Sequence, residues 1–348
     1  MMPQERILLL YNEPLLPESH PDYISEVEVL DTVEAVGDLL QQHHYQVESL
    51  GLTNDPQELI QTIRRFAPDG VINLYEGTPT HPGSELYAAG LLEWLGVSYT
   101  GCPFQCLVLA RNKPLAKRLF VSEGLPTPAF LFAEGPLARC DLAFPVIVKP
   151  ALQDASLGVD QQSVVTSLEQ LNQRIAYVLK EFDQPCLVEE FIFGRELTYA
   201  IVEMPDLRFL PATEAIFPQD LPGYWPILTY DAKWTRGSRE FEATDYHFHA
   251  QLPPELESRI AEYSRRAFRL LGCRDYARMD WRIRAGDDAP FLLEVNPNPD
   301  FAPDRALSNN LWAANIAYDD FVLQLVRNML NRRQTPLTQR YRLDQLAG

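Results

Sequence analysis

Asp280, Glu294 and Asn296 are the residues of this 348-residue chain whose types and spacing speak most directly of chemistry. Asp280 lies in the run Tyr276-Ala277-Arg278-Met279-Asp280-Trp281-Arg282-Ile283, which alternates with period two. Glu294 and Asn296 lie in Phe291-Leu292-Leu293-Glu294-Val295-Asn296. The connector 284–290, with Gly286 and Asp287-Asp288, is a turn by composition, so the two runs predict a β-hairpin. Residues two apart on a strand share a face, so this hairpin would present two carboxylates and an amide oxygen together. Oxygen-only ligation suits Mg²⁺ bridging substrate phosphates. Arg278 falls on the same face as Asp280. A guanidinium there would serve an anionic substrate group or a developing oxyanion, or else a structural Arg–Asp–Glu network.

Two lysines are well placed to meet phosphates. Lys149 ends the apolar run Val146-Ile147-Val148 before Pro150, where the chain turns into the small-residue loop 151–159. Lys113 opens a helical stretch. Neither a Walker-type loop nor G-x-G-x-x-G is present, which counts against P-loop and dinucleotide-binding folds. The segment Cys186-Leu187-Val188-Glu189-Glu190-Phe191-Ile192 can be read in two ways. It could pair its backbone with adenine while Phe191 and Ile192 pack on the ring, with Glu196 set for a ribose hydroxyl. It could equally be an edge strand with solvated acids. Lys233 sits in the aromatic-rich, weakly periodic stretch 217–248, a length that suggests a mobile loop able to close over a γ-phosphate. Cys102 and Cys106 lack a partner at zinc spacing and read as buried structural thiols. His43-His44 ends a helix, where a positive side chain suits the helix dipole, and His247 and His249 share a strand face without a third ligand in reach.

The elements that must position these groups follow from periodicity. Ile7–Tyr11 and Val71–Tyr75 are strand-length apolar runs separated by helical spacing near 27–43; a helix capped by Ser84 and a short strand at 97–99 come next. Apolar strands alternating with helices mean a parallel sheet covered on both faces. A helix near 112–123 follows, closed by Gly124 and Pro126. Shorter strands and hairpins then take over, with helices near 168–182, 254–271 and 317–330. Length predicts roughly two domains. The net charge of −18 argues against a nucleic-acid partner. Five cysteines, an odd number without pairing logic, fit a reducing cytoplasm. No apolar stretch approaches the roughly 18–20 residues of a membrane span, so a cytoplasmic location without a membrane partner is expected.

Taken in order, these segments resemble the ATP-grasp superfamily, and within it the D-alanine–D-alanine ligase family. The resemblance runs from about Ile7 to Leu330. It rests on Tyr99-Thr100-Gly101, Asn112-Lys113, Gly124-Leu125-Pro126-Thr127-Pro128, Phe144–Pro150, Val188–Ile192 and Gly194-Arg195-Glu196. The C-terminal part adds Tyr230–Trp234, Gly272–Asp280 and Leu293-Glu294-Val295-Asn296-Pro297. It implies a parallel α/β domain over 1–107, α+β ATP-grasp subdomains over 108–193 and 194–331 that clamp ATP, and a polar tail at 332–348.

By that resemblance Lys113 and Lys149 bind phosphates, and Glu189, Glu190, Phe191 and Ile192 line the adenine site. Glu196 holds the ribose, and Asp280, Glu294 and Asn296 hold two Mg²⁺ (or Mn²⁺) ions. Lys233 is the lid lysine, and Arg278 stabilises the tetrahedral intermediate. The implied activity is an ATP-dependent carboxylate–amine ligase acting on amino acids or small peptides through an acyl phosphate, as a possible homodimer. A true D-alanine–D-alanine ligase and a non-catalytic ATP-binding relative are the alternatives.

The departures from the family pattern concern the substrate pocket. The family's paired serines are here Ala155-Ser156, leaving Ser156 as the single catalytic hydroxyl. Either Glu26 or Glu28 could be the acid that orients the first substrate. Asp300 stands about where the family has a glycine in its acceptor segment, where it could select a cationic amine. Alternatively, Asp300 or Asp304 caps the following helix.

Overall fold

The computed structural model describes residues 4–17, 23–78, 83–153, 156–218, 223–303 and 305–333. Its N-terminal part comprises β1 (Arg6–Asn12), α1 (Tyr23–Val27), α2 (Val29–Gln42), β2 (Gln46–Leu52), α3 (Pro56–Phe66) and β3 (Gly70–Leu74). The strands form a parallel sheet in the order β2-β1-β3. Ile7, Leu8, Leu9 and Leu10 are wholly buried because helices and neighbouring strands cover both faces of β1. Each contributes about 1.5–3 kcal/mol by leaving water. Asp55 accepts the Gln57 N–H, and Pro56 occupies the first turn, so α3 starts where its capping chemistry dictates.

Next come α4 (Ser84–Trp94), α5 (Phe104–Arg111) and α6 (Lys113–Ser122). Gly83, rather than Ser84, caps α4, and the Ser84 hydroxyl instead bonds Tyr75 at 2.9 Å. The expected strand at 97–99 is reduced to one parallel bridge between Val71 and Tyr99. Asn112 ends α5 and caps α6 by accepting the Leu115 N–H, which fixes Lys113 at the first turn.

Beyond Thr127 the chain builds an antiparallel sheet from β4 (Phe130–Ala133), β5 (Val146–Pro150), β6 (Val164–Val165) and β7 (Cys186–Glu190), with α7 (Leu168–Phe182) between the last two. The order is β4-β7-β5-β6, so β7 is central and the edge-strand reading of Glu189 and Glu190 fails. Leu171, Ile175 and Val178 of α7 pack on Val146, Val148 and Val188, fixing the sheet's outer face.

A larger sheet follows: β8 (Gly194–Glu203), β9 (Leu207–Phe209), β10 (Thr213–Ile216), β11 (Asp245–Phe248), β12 (Tyr276–Arg284) and β13 (Pro290–Asn296). Its order is β11-β10-β8-β12-β13, with β9 added to β8. Gly194 has φ +145°, and a Cβ there would lie 1.8 Å from the Ile283 carbonyl oxygen. Only glycine lets β8 begin this close to β12. Helices α8 (Tyr230–Trp234), α9 (Arg239–Ala243), α10 (Pro254–Leu271), α11 (Ala306–Ala313) and α12 (Tyr318–Arg333) complete the chain. Trp281 is wholly buried and donates its indole N–H to Ser264 of α10 at 3.1 Å, tying that helix to the site strand.

Two expectations are refined here. The weakly periodic stretch 217–248, of which 219–222 lie outside the described residues, carries short elements: α8 and α9, capped by the Thr229 and Ser238 side chains, and β11. The tail does not begin at 332, because α12 continues and Arg332 pairs with Asp275 at 2.7 Å. Asp275 is wholly buried, so it needs that cation. Positions 334–348 lie outside the described residues. No described helix is long and apolar enough to cross a membrane.

Candidate active site

The hairpin forms with the anticipated facing. Asp280 stands opposite Glu294 and Arg278 opposite Asn296, and a bulge follows Asp280. Cross-strand partners point to one face, so all four side chains share it. Each acid has a cation. Arg278 pairs with Asp280 at 2.8 Å, and Lys113 reaches Glu294 at 2.8 Å. The Asn296 side-chain oxygen accepts the Asn298 N–H at 3.2 Å. Burial would raise the Glu294 pKa, but Lys113, Lys149 and Lys233 outweigh it and hold it well below the usual carboxylate range. The donor set is hard oxygen on adjacent strands beneath positive charge, and it fits a divalent cation accompanied by phosphates.

A cleft lies between the two antiparallel sheets. Lys113, Lys149, Ser156, Lys233, Asp280 and Glu294 line one part of it. Glu190, Phe191, Ile192 and Glu196 line another, together with Glu189. Arg278 and Asn296 lie next to the cleft on the shared strand face. Phe191 is buried in a small apolar group with Ile147, Val159, Val164 and Ile227, and the buried Ile192 lines the cleft beside it, so a flat apolar ring has a slot to enter. Glu196 is held by Arg282 at 2.8 Å.

Glu189 lines the cleft as expected and also has partners that the sequence did not reveal. Its carboxylate is almost wholly buried between Lys117, 2.5 Å away, and Lys149, 2.9 Å away. Burial would raise its pKa, but the two ammonium groups lower it below the ordinary value. Its side chain is therefore occupied in fixing Lys149, and β7 spends its backbone on both neighbouring strands. Lys117 was not anticipated. It sits four residues after Lys113 on α6, the same-face spacing that could have revealed it. It also donates to Thr127 at 2.7 Å, and burial pulls its pKa down. Arg282 was missed too, although period two places it on the Arg278–Asp280 face.

The segment carrying Lys233 is fastened across the cleft. The Ser156 hydroxyl donates to the Leu228 carbonyl at 2.8 Å, and the Tyr230 N–H to the Val159 carbonyl at 3.0 Å. Trp225 bonds Gln161 through its N–H at 2.7 Å and meets the Phe191 ring edge-on at 5.4 Å. Gly158, at φ +76°, lets the loop turn where a Cβ would press into Pro150 and Phe182. Lys233 thus sits on a short capped helix rather than a free loop. Burial first and Arg278 second lower its pKa, while Asp280, Glu294 and Glu196 pull it back. Ala155 lies outside the described residues.

A second, smaller cavity opens beside the hairpin. Asn73 and Glu76 line it from the end of β3, Tyr276 from the start of β12, and Asn298 and Asp300 from beyond β13. Tyr276 is two residues before Arg278, roughly 7 Å along the same strand face. Glu76 and Asp300 are open to solvent at the mouth, yet the crowded walls withdraw enough water to raise both pKa values. Each acid's neighbour adds to this: Asp300 acts on Glu76, and Glu28 acts on Asp300. Asp300 does not cap α11. It accepts the Ala302 N–H at 2.8 Å and lies 3.7 Å from Arg305. Arg305 also pairs with Glu28, whereas Glu26 turns inward to accept the Leu16 N–H. Asp304 lies outside the described residues.

The family profile described as D-ala D-ala ligase C-terminus matches residues 137–327. The D-alanine–D-alanine ligase of Ralstonia pickettii is 32% identical over 272 residues, 76% of this chain and 77% of that protein. The chain belongs to the D-alanine–D-alanine ligase family. The Verminephrobacter eiseniae D-alanine–D-alanine ligase is 34% identical over 252 residues, covering 70% of this chain and 71% of that protein. The ATP-complexed structure of the Bacillus anthracis D-alanine–D-alanine ligase superposes with a TM-score of 0.72 at 22% identity. It covers 95% of this chain and 99% of that one. The fold is therefore ATP-grasp. The stretch matched by the D-alanine–D-alanine ligase profile takes in the cleft from Lys149 to Glu294 and leaves Lys113, Lys117 and Glu76 outside it.

Proposed function

We propose that this chain is an ATP-dependent ligase that joins the carboxylate of one amino acid or small peptide to the amine of another. One observation carries the reading. The opposed Asp280 and Glu294 carboxylates share a cleft with Lys113, Lys149 and Lys233, next to the apolar slot of Phe191 and Ile192. A nucleoside triphosphate matches that order of surfaces, with its base in the slot and its phosphates against the lysines.

Phe191 and Ile192 take the base, and Glu196, held by Arg282, faces a ribose hydroxyl. Lys113, Lys149 and Lys233 neutralise the triphosphate. Asp280, Glu294 and Asn296 would hold Mg²⁺, which supplies charge neutralisation on the phosphate oxygens when bound. A substrate carboxylate oxygen attacks the γ-phosphorus, and the bond to the β-phosphate oxygen breaks to release ADP. The amine nitrogen of the second substrate then attacks the acyl carbon. Arg278 offers its guanidinium to the resulting oxyanion, as a preorganised donor should. The carbon–oxygen bond to phosphate breaks, phosphate leaves, and the nitrogen loses its proton. No protein nucleophile enters the sequence, so the protein mainly positions groups and stabilises charge.

The second cavity supports a finer reading. Asp300, joined by Glu76 once pH rises through its raised pKa, gives it negative character, which favours an amine substrate bearing a second positive group over D-alanine itself. Purified protein supplied with ATP, Mg²⁺ and single or paired amino acids tests both statements by ADP release. Turnover with D-alanine alone, equal to that with a basic amino acid, would leave the plain D-alanine–D-alanine reading in place.

A further inference from the structure

The sequence leaves Cys102 and Cys106 without a metal-ligand partner, but folding supplies one from 167 residues further on, in Cys273. We propose that Cys102, Cys106 and Cys273 form a three-thiolate site for a thiophilic d¹⁰ metal ion. This lies apart from the ATP cleft and does not depend on the ligase reading.

The three thiols come from three places: the loop before α5, the first turn of α5, and the residue after the Gly272 cap of α10. Their sulfur atoms all lie within 4.8 Å of one another, and Cys106 and Cys273 are 3.4 Å apart. A trigonal ion with metal–sulfur bonds of ~2.3 Å needs sulfurs about 4.0 Å apart, so the spacing requires only small adjustments. Among the described residues no carboxylate or imidazole joins the group. A donor set of sulfur alone excludes Mg²⁺ and Ca²⁺ and selects soft ions such as Cu(I), or Zn(II) and Cd(II).

Thiolates in an apolar core need compensating charge. Arg274, the residue after Cys273, is the nearby cation that can supply it, its guanidinium anchored on the Gly101 and Tyr99 carbonyls. Cys102 and Cys106 are wholly buried and Cys273 is 9% exposed. Loading would therefore accompany folding or local opening, as is usual where metal and fold are coupled. A bound ion would pin the α5 layer to the chain entering β12, three residues before Tyr276 and five before Arg278.

The test uses the full chain, prepared metal-free under a non-thiol reductant and titrated separately with Cd(II) and Cu(I). The readouts are thiolate-to-metal charge-transfer absorption, metal bound per chain and the thermal midpoint. One equivalent of either ion, with a charge-transfer band and a raised midpoint, supports the site; the ion bound more tightly indicates whether it is of zinc or copper type. Cys106→Ser and Cys273→Ser should each remove the band and weaken binding at least tenfold, while Cys140→Ser should change neither. Cooperative unfolding of the metal-free variants confirms that they fold. Absence of a band with both ions overturns the proposal, as does a band that survives in both variants. Formation of a Cys106–Cys273 disulfide in place of metal uptake, read as a loss of two hydrogens in mass, also overturns it.

Discussion

Arg278 grips Asp280 with two parallel hydrogen bonds, Nε to Oδ1 at 2.8 Å and Nη2 to Oδ2 at 2.9 Å. The arginine neutralises one member of the opposed acid pair while Lys113 neutralises the other, so the carboxylates are held in place by groups that also suit anionic substrates. Arg278→Ala should lower turnover by roughly 10²–10³, the usual cost of losing an oxyanion donor, with a smaller effect on ATP affinity. Arg278→Lys keeps the charge and loses the fork, so it should recover only part of the rate. Steady-state kinetics beside an ATP-binding isotherm separates the two effects. Near-normal turnover in Arg278→Ala would reduce the residue to a structural partner of Asp280.

Asp280→Asn and Glu294→Gln should each remove most of the Mg²⁺ dependence of ATP turnover. Residues that merely orient a ligand typically cost 10–100-fold when lost, so losing a ligand itself should cost more than about 10²-fold. Activity measured across a Mg²⁺ series decides this, and an unchanged Mg²⁺ requirement in both variants would move the metal elsewhere.

Much of this site was legible because its information is local. Period-two alternation around Asp280, a turn-rich connector and the spacing of Glu294 and Asn296 were enough to place three oxygen donors on one face. Two helices, α3 and α5, drew no prediction although Asp55-Pro56 carried a start signal for the first. The pairing of Glu189 with Lys117 and Lys149 was not legible, because its partners are set by the sheet order and by α6, not by its neighbours in sequence. The same holds for Cys273 with Cys106, and for Glu76 with Asp300. Pairings across long separations are fixed by topology, and no window of residues contains them. Lys233 looked like part of a loose loop because helices of five residues, such as α8 and α9, are too short to show a period.

Stability should fall in acid through Glu189. Its folded pKa lies below its ordinary 4.5, so its contribution is present above that value and is lost as pH falls through the lowered one. Glu189→Gln leaves the buried Lys117 without its carboxylate, with only Thr127 to accept from it, which should cost about 3–5 kcal/mol at neutral pH. The variant should also lose stability less steeply between about pH 5 and pH 3 than the wild type. Urea unfolding over that range measures both slopes; parallel slopes would mean that other carboxylates govern acid unfolding.

Substrate choice should depend on Asp300 and Glu76. Both have raised pKa values, so the cavity gains negative charge as pH rises through them, and affinity for an amine with a cationic side chain should rise with it. Asp300→Asn should cut the preference for such an amine over a neutral one by roughly five- to tenfold, the modest end of a charge pair at ~4 Å. Ratios of kcat/KM for a lysine-like and an alanine-like acceptor report this directly. An unchanged ratio would remove Asp300 from substrate selection.

The most direct test of the account follows both halves of the reaction in one sample. The protein is given ATP, Mg²⁺ and a panel of amino acid pairs, and ADP, phosphate and condensed product are quantified together, the last by mass. Equal amounts of all three are expected for at least one pair, the product weighing one water less than its two parts. ADP formed without any condensed product, or no ADP from any pair, would contradict it.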